Sequence, residues 1–303
     1  MDFLSRALYS WASMKSFFIA LRLIFIAVLK LRVVLLIAVS FPGLIRFSVA
    51  QDLSEQKSRN QGQFYFSWGY NRDWYSKSDI HVYGHDPRSN TNYDFTLYNA
   101  KASDKPDMWR WWYIDRLTIP QYDLTAGYFF KGKHNLGIEI GWNHLKYVVT
   151  PNQMVHIKGQ ILGNQYDQNM QLYDTLLHLQ HTNGNNYLLL NLVKRESLLQ
   201  REKIQVDAIA KVGLGPMISY TIDTILGDRD PGYFHYHGMV FATSLGVRAT
   251  FFNHIFVQTD MQAALADYTN TKLGHEHLGK STQYFYSWQW TYELGYTFPV
   301  GKK

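Results

Sequence analysis

Residues Tyr284 to Phe298 alternate without a break, and this alternation constrains the solvent in which the chain can fold. One face reads Tyr284, Tyr286, Trp288, Trp290, Tyr292, Leu294, Tyr296, Phe298; the other reads Phe285, Ser287, Gln289, Thr291, Glu293, Gly295, Thr297. A β-strand puts successive side chains on opposite faces, so one side is apolar and the other mostly polar. A soluble sandwich shows similar alternation, but over strands of roughly 5 or 6 residues and without an all-aromatic face. A tilted strand that crosses a bilayer needs roughly 9 to 11 residues, with aromatic girdles where hydrocarbon meets headgroups. The stretch therefore predicts the closing strand of a transmembrane β-barrel.

The first fifty residues differ from the rest. Arg6, Lys15, Arg22, Lys30, Arg32 and Arg46 stand against one acid, Asp2, and the longest uncharged run is the thirteen residues Val33 to Ile45. That run is too short for a spanning helix and fits the apolar region of a secretory signal. Ser48-Val49-Ala50 supplies the small residues of a cleavage point, so residues 1–50 are expected to be a signal peptide and Gln51 the first mature residue. A leader this long suggests Met14 as the start in place of Met1. Residues 51–62 read as a periplasmic lead-in, and 63–303 as the barrel domain.

Charge follows the same division. Six of the 30 basic and one of the 24 acidic residues lie in residues 1–50, leaving a nearly neutral 24 against 23. The basicity belongs to the leader, so no nucleic-acid partner is expected. Aromatic residues make up 16% of the chain, no cysteine is present, and the mean hydropathy is slightly negative. This excludes a bundle of membrane helices and a disulfide or thiolate scaffold, and suits a barrel with a wet interior.

Alternation bounded by turn residues gives an all-β, antiparallel barrel of about twelve strands, with ten as the alternative count. They fall near 63–74, 78–84, 93–101, 120–130, 135–149, 153–162, 173–182, 185–194, 203–219, 237–251, 254–266 and 282–299. The tight turns Lys131-Gly132-Lys133 and Phe252-Asn253-His254 are expected at the periplasmic end. The long segments 101–119, 222–236 and 267–281 are then extracellular loops.

If the apolar faces meet lipid, the opposite faces line the lumen. They gather Glu139, Asp207, Lys211, Arg248, Asp260 and Glu293. Lys or Arg on the lipid face at the midplane costs about 2 to 4 kcal/mol, which enforces this facing. The mixed signs point to a mutually paired polar plug rather than to an ion-selective lining.

Two further clusters stand out. Trp109, Trp111 and Trp112 flank Arg110 in an expected loop, as headgroup anchors or as a surface that stacks on sugar rings. His235, His237, His275 and His277 form two His-x-His pairs in loops at the same end, with Asp228 and Asp230 nearby. An extended His-x-His projects both imidazoles from one side, so the four could meet on Zn²⁺; solvated loop histidines and no cofactor are the alternative.

Leader, dyad repeat and aromatic terminal strand together resemble the Gram-negative outer-membrane β-barrel proteins, in particular the uncharacterised outer membrane protein β-barrel families. The resemblance covers the whole mature chain and is architectural; Phe298 is followed by a short tail, Pro299 to Lys303. It implies residence in the outer membrane, contact with its lipid, and a porin-like or surface role in passage, binding or envelope structure, with extracellular solute or glycan as partner. No enzyme is expected. His181-Thr182-Asn183-Gly184 faintly resembles the His-x-Ser-Asn-Gly stretch of outer-membrane phospholipase A, which makes a lipid-modifying enzyme the alternative. The nucleophilic serine is missing, so a turn beside a histidine explains the stretch better. A secreted soluble barrel with an apolar ligand is the third reading.

Overall fold

The computed structural model describes residues 62–105, 121–132 and 135–300. The expected signal peptide, the lead-in up to residue 61 and Lys133 lie outside them. Thirteen antiparallel strands form among the described residues: β1 Gly62–Tyr75, β2 Ser78–Asp86, β3 Thr91–Ala100, β4 Ala102–Ser103, β5 Tyr122–Phe129, β6 Leu136–Val149 and β7 Met154–Ile161, then β8 Asn164–Gln171, β9 Leu177–Arg201, β10 Ile204–Ile225, β11 Asp228–Phe251, β12 Ile255–Leu273 and β13 Gly279–Val300.

Eight of them close a ring in the order β1, β5, β6, β9, β10, β11, β12, β13, and β13 returns to β1 in a continuous register from Gly62↔Val300 to Tyr75↔Ser287. Closure leaves no strand edge in the ring, the condition a bilayer imposes on a β-structure. The all-β antiparallel transmembrane barrel is therefore the fold found. The expected segments are distributed differently, with eight staves in place of twelve or ten. β2 pairs with Gly279–Thr282 at the far end of β13, and the sheet continues outward through β3, β7 and β8.

Three local readings are corrected. The segments 173–182 and 185–194 are one strand, β9, because Thr182-Asn183-Gly184 is a bulge, with Gly184 at φ 132° and a register break opposite Lys146 and Tyr220. The segments 222–236 and 267–281 are largely strand: β10 turns into β11 at Leu226-Gly227, both with positive φ, and β12 runs to Leu273 before β13 resumes at Gly279. Positive φ at both residues is the geometry whose twist matches flanking strands, so the hairpin can be this long. Asn164–Gln171, read as connection, is β8.

Facing inverts along the barrel. From the end that carries Gly62 and Val300, the outward side chains are Phe64, Phe66, Trp68, Ile138, Ile140, Leu245, Val257, Trp288 and Leu294, while Glu139, Arg248, Asp260 and Gln289 are buried inside. Tyr284 to Phe298, at roughly 3.3 Å per residue and a tilt of roughly 40°, climbs about 35 Å, enough for a hydrocarbon core of about 30 Å. Beyond that band the inside becomes apolar: Ile80, Val82, Phe95, Leu97, Val155 and Ile157 of the added sheet pack on Leu145, Leu179, Leu189 and Leu273 of the staves. There the outer face is polar, with His81, Asp94, Lys158 and Asp167 outward. Apolar groups turn away from water in both halves, so the inversion marks where lipid ends. We call the part beyond the band the head.

Candidate functional site

The lumen is built by the inward residues of the eight staves. At the terminal end Arg248, 1% exposed, lies 4.3 Å from the Tyr65 ring centre and 4.0 Å from that of Phe256. Its Nε donates to Gln258 (2.6 Å). Asp207 stands opposite Arg248 in the β10–β11 register and accepts from Gln205. Arg195 stacks on Phe129 at 4.2 Å and donates to Gln63 at 2.8 Å, three staves away.

One layer up, Lys211 lies 3.0 Å from Glu139 and 3.5 Å from Asp260. Glu139 also accepts from the Tyr65 hydroxyl (2.7 Å) and from Asn191 (2.9 Å). Glu293 accepts from Ser67 at 2.6 Å. In the ring, β6 and β12 stand diametrically opposite, with β10 midway between them. A single ammonium therefore straps the two walls of the barrel together. All six lumen residues named from the sequence are inside, and four of them, Glu139, Lys211, Asp260 and Glu293, share this layer.

Further up, Asp123 accepts from Asn143 (2.6 Å) and Asn71 (3.1 Å), again across staves. Above it Tyr268 donates to Asn185 at 2.6 Å and Tyr147 to Gln283 at 2.9 Å, each bond crossing three staves. The rings of Phe285, Tyr147, His181 and Tyr268 stack at centre distances of 4.8 Å (Phe285–Tyr147), 5.7 Å (Tyr147–His181) and 5.1 Å (His181–Tyr268). His181 is fully buried and its Nδ1 lies 2.8 Å from the Thr221 hydroxyl. Tyr65, Arg195, Tyr268 and Asn185, which complete these bridges, escaped the sequence reading because crossing contacts depend on stave order. Inward alternation was their only signal.

The histidine pairs sit in strand and turn, not in long loops. His235 and His237 lie on β11 with ring centres 3.9 Å apart, whereas His275 and His277 occupy the β12–β13 turn. His237 is within hydrogen-bonding reach of Thr221 (3.1 Å) and Thr271 (3.0 Å), His235 Nε2 accepts from the Lys272 N–H (3.2 Å), and His277 pairs with Asp230 (2.7 Å). The Tyr233 ring stands between the pairs, 4.6 Å from His235 and 4.3 Å from His277. Among the described residues no three metal-ligating side chains gather. Trp109, Trp111 and Trp112 lie outside the described residues.

At the head tip three carboxylates tie β10 and β11 to the β12–β13 turn. Asp223 accepts from the Gly274 N–H (2.8 Å) and Asp228 from the His275 N–H (2.9 Å), with Asp230 on His277. Burial, helped by the charges of Asp230 and Asp228, pushes the Asp223 carboxyl up to about 8 against the opposing pull of the Gly274 N–H.

No protein-family model matches the chain, and no curated protein matches it in sequence. Solved structures similar to it include the outer membrane protease OmpT of Escherichia coli, at 10% identity over 79% of this chain and 97% of that one, with a TM-score of 0.32. The outer membrane protein OprG of Pseudomonas aeruginosa matches at 12% identity, 79% and 97% coverage and a TM-score of 0.33. Ail of Yersinia pestis, solved with the heparin analogue sucrose octasulfate, matches at 8% identity, 78% and 99% coverage and a TM-score of 0.31. The barrel assignment rests on the closed ring and its apolar exterior.

The outer face of the head offers different chemistry from the lumen. His81 and Tyr83 of β2 stack at 5.1 Å, Tyr98 of β3 lies 5.7 Å from His156 of β7, and His81 binds Asp94 at 2.8 Å. Asp167 is held by both His156 and Lys158 at 3.0 Å. Half-buried rings flanked by amides and internally paired charges can stack on and hydrogen-bond to an uncharged, hydroxyl-rich ligand.

Proposed function

We propose that the protein is a non-catalytic outer-membrane barrel whose lumen is closed and whose head, on the extracellular side, is the working surface. The observation that carries this reading is Lys211, which reaches Glu139 and Asp260 on opposite walls. Oppositely charged buried groups that satisfy one another form a plug, whereas a selective pore needs lining of one sign facing water. Above the plug, the apolar inside of the head stands across the same axis. Passage of solute is thereby disfavoured, and binding or envelope structure remains from the roles expected of such a barrel.

The binding surface in this reading is the outer face of β2, β3 and β7 around Tyr83 and Tyr98, with polysaccharide as the matching chemistry. Reconstitution into planar bilayers tests the closed lumen: the expected result is no stepwise conductance, and discrete open levels in the wild-type protein would replace this reading with one of passage. A glycan array tests the face. Binding is expected to fall at least tenfold on Tyr83→Ala with Tyr98→Ala, and binding unaffected by the double change would remove the face from the proposal.

A further inference from the structure

β8 is the last strand of the sheet, paired with β7 on one side and with no strand among the described residues on the other. Its pairing with β7 runs from Asn164 to Gln171 without a register break, from the two-residue turn Leu162-Gly163, both with positive φ. Such a turn closes on a hydrogen-bonded pair, Ile161 with Asn164, so even-numbered residues of β8 bond to β7. Leu172, next in that series, donates its N–H to Gln153 O at 2.8 Å, as this phase requires, and accepts from the Asn152 N–H at 2.9 Å. The odd-numbered residues therefore direct their backbone N–H and C=O groups outward, away from the sheet.

Open edges are normally blunted by lysine, proline, a bulge or a covering element. β8 holds no Lys, Arg or Pro, and its one charge, Asp167, is already paired with Lys158 and bonded to His156 of β7. An edge this long and regular is a template for another strand.

Its sequence specifies which strand. Read about Gln168, the segment is complementary to itself in reverse: Asp167 falls opposite Asn169, Tyr166 opposite Met170, and Gln165 opposite Gln171. A carboxylate would face an amide donor, a thioether would face a ring, and amides would face each other. Centring one residue earlier sets Asp167 against Asp167, and centring one later abandons the Tyr166–Met170 match. The Gln168 register also engages all four outward residues in reciprocal backbone bonds, since 165 meets 171 and 167 meets 169. Tyr166 and Met170 already pack against the core of the head, so the pairing would continue that apolar layer into the neighbour.

We propose that β8 is a self-association edge, and that two copies of the protein join their heads by antiparallel β8 pairing across a two-fold axis at Gln168. This rests on the edge and its sequence, and holds whether or not the outer face binds glycan.

The chain contains no cysteine, so single cysteines report the register directly. Gln168 opposes its own copy as a non-hydrogen-bonded pair, with Cα atoms about 4.5 Å apart, within disulfide range. In outer membranes and in detergent, Gln168→Cys is expected to form a covalent dimer on mild oxidation, while Asp167→Cys and Asn169→Cys stay largely monomeric. Asn169→Asp sets two carboxylate pairs face to face and is expected to weaken the dimer at least tenfold in sedimentation. The exchange Asp167→Asn with Asn169→Asp restores opposite partners and is expected to recover most of the affinity. Far-UV circular dichroism checks that each variant is folded. No cross-link at 168, equal cross-linking at 167 and 169, or a dimer indifferent to Asn169→Asp overturns the proposal.

Discussion

Lys211 and Glu139 meet at 3.0 Å inside the barrel, from staves separated by β9, and the same ammonium reaches Asp260 on the far wall. Removing one member of a buried charge group leaves the others uncompensated, which costs about 3 to 5 kcal/mol. Lys211→Met is therefore expected to lower unfolding stability by about that amount. Adding Glu139→Gln and Asp260→Asn is expected to return a substantial part of it, because Glu293, bonded to Ser67, is then the one carboxylate left in that layer. Urea titration of the protein in lipid vesicles, followed by tryptophan fluorescence, measures both.

The seam where β13 closes on β1 is equally tight. A Cβ placed on Gly69 would stand 1.9 Å from the Tyr292 carbonyl oxygen and 2.7 Å from the Glu293 Cα, both backbone atoms of the partner strand. Strong coiling in a narrow ring demands such glycine positions. Gly69→Ala is expected to cost about 1 to 3 kcal/mol by overpacking. The loss should appear first as faster amide exchange at Gly69 to Arg72 and at Trp290 to Glu293, ahead of exchange at the β10–β11 ladder.

The staves were legible because lipid outside and polar groups inside leave a dyad pattern, as at Leu136 to Asn143 and Tyr284 to Phe298. The head was not, since Ile80 and Val82 or Phe95 and Leu97 alternate in the same way with the faces exchanged. Period alone does not say which side is water, and these strands entered the count as staves. β8 lacked even that signal, as Asn, Gln and Asp fill nearly all of it. Asn183-Gly184 looked like a turn because the same dipeptide serves a turn or a bulge, and only the continuous pairing of β9 on both sides separates the two.

For the candidate site the inward residues were readable and their partners were not. Lys211 and Glu139 follow from alternation, whereas their meeting depends on the order of staves in the ring. The sequence places the histidines in loops because Tyr233, His235 and His237 on one face and Phe234 and Tyr236 on the other are all rings, with no apolar contrast to mark a strand.

The facing of β13 has a direct test. Trp288 is 51% exposed and Gln289 1% exposed on adjacent positions. Spin labels at 288 and 289 in vesicles are expected to give opposite accessibilities, 288 to oxygen and 289 to neither oxygen nor a water-soluble nickel reagent in quantity. Equal oxygen accessibility at the two sites would reveal a shifted register.

The carboxyl of Asp223 makes the head sensitive to pH in a definite direction. Its folded-state value of about 8 lies far above the unfolded carboxylate range, because burial and the nearby Asp230 and Asp228 oppose its charge. A raised acid binds a proton in the folded state that the unfolded chain has already released, so its contribution is fully present below about pH 4 and is lost as pH rises through about 8. The head should therefore resist proteolysis better at about pH 5.5 than at about pH 8.5. Asp223→Asn keeps an oxygen to accept from the Gly274 N–H and carries no charge at any pH. It is expected to raise resistance at the higher pH and to flatten the difference between the two. Limited proteolysis of the vesicle-embedded protein, with cleavage mapped to residues 222–236 and 267–281, reads the effect, and a variant that keeps the full wild-type pH dependence would assign it to another group.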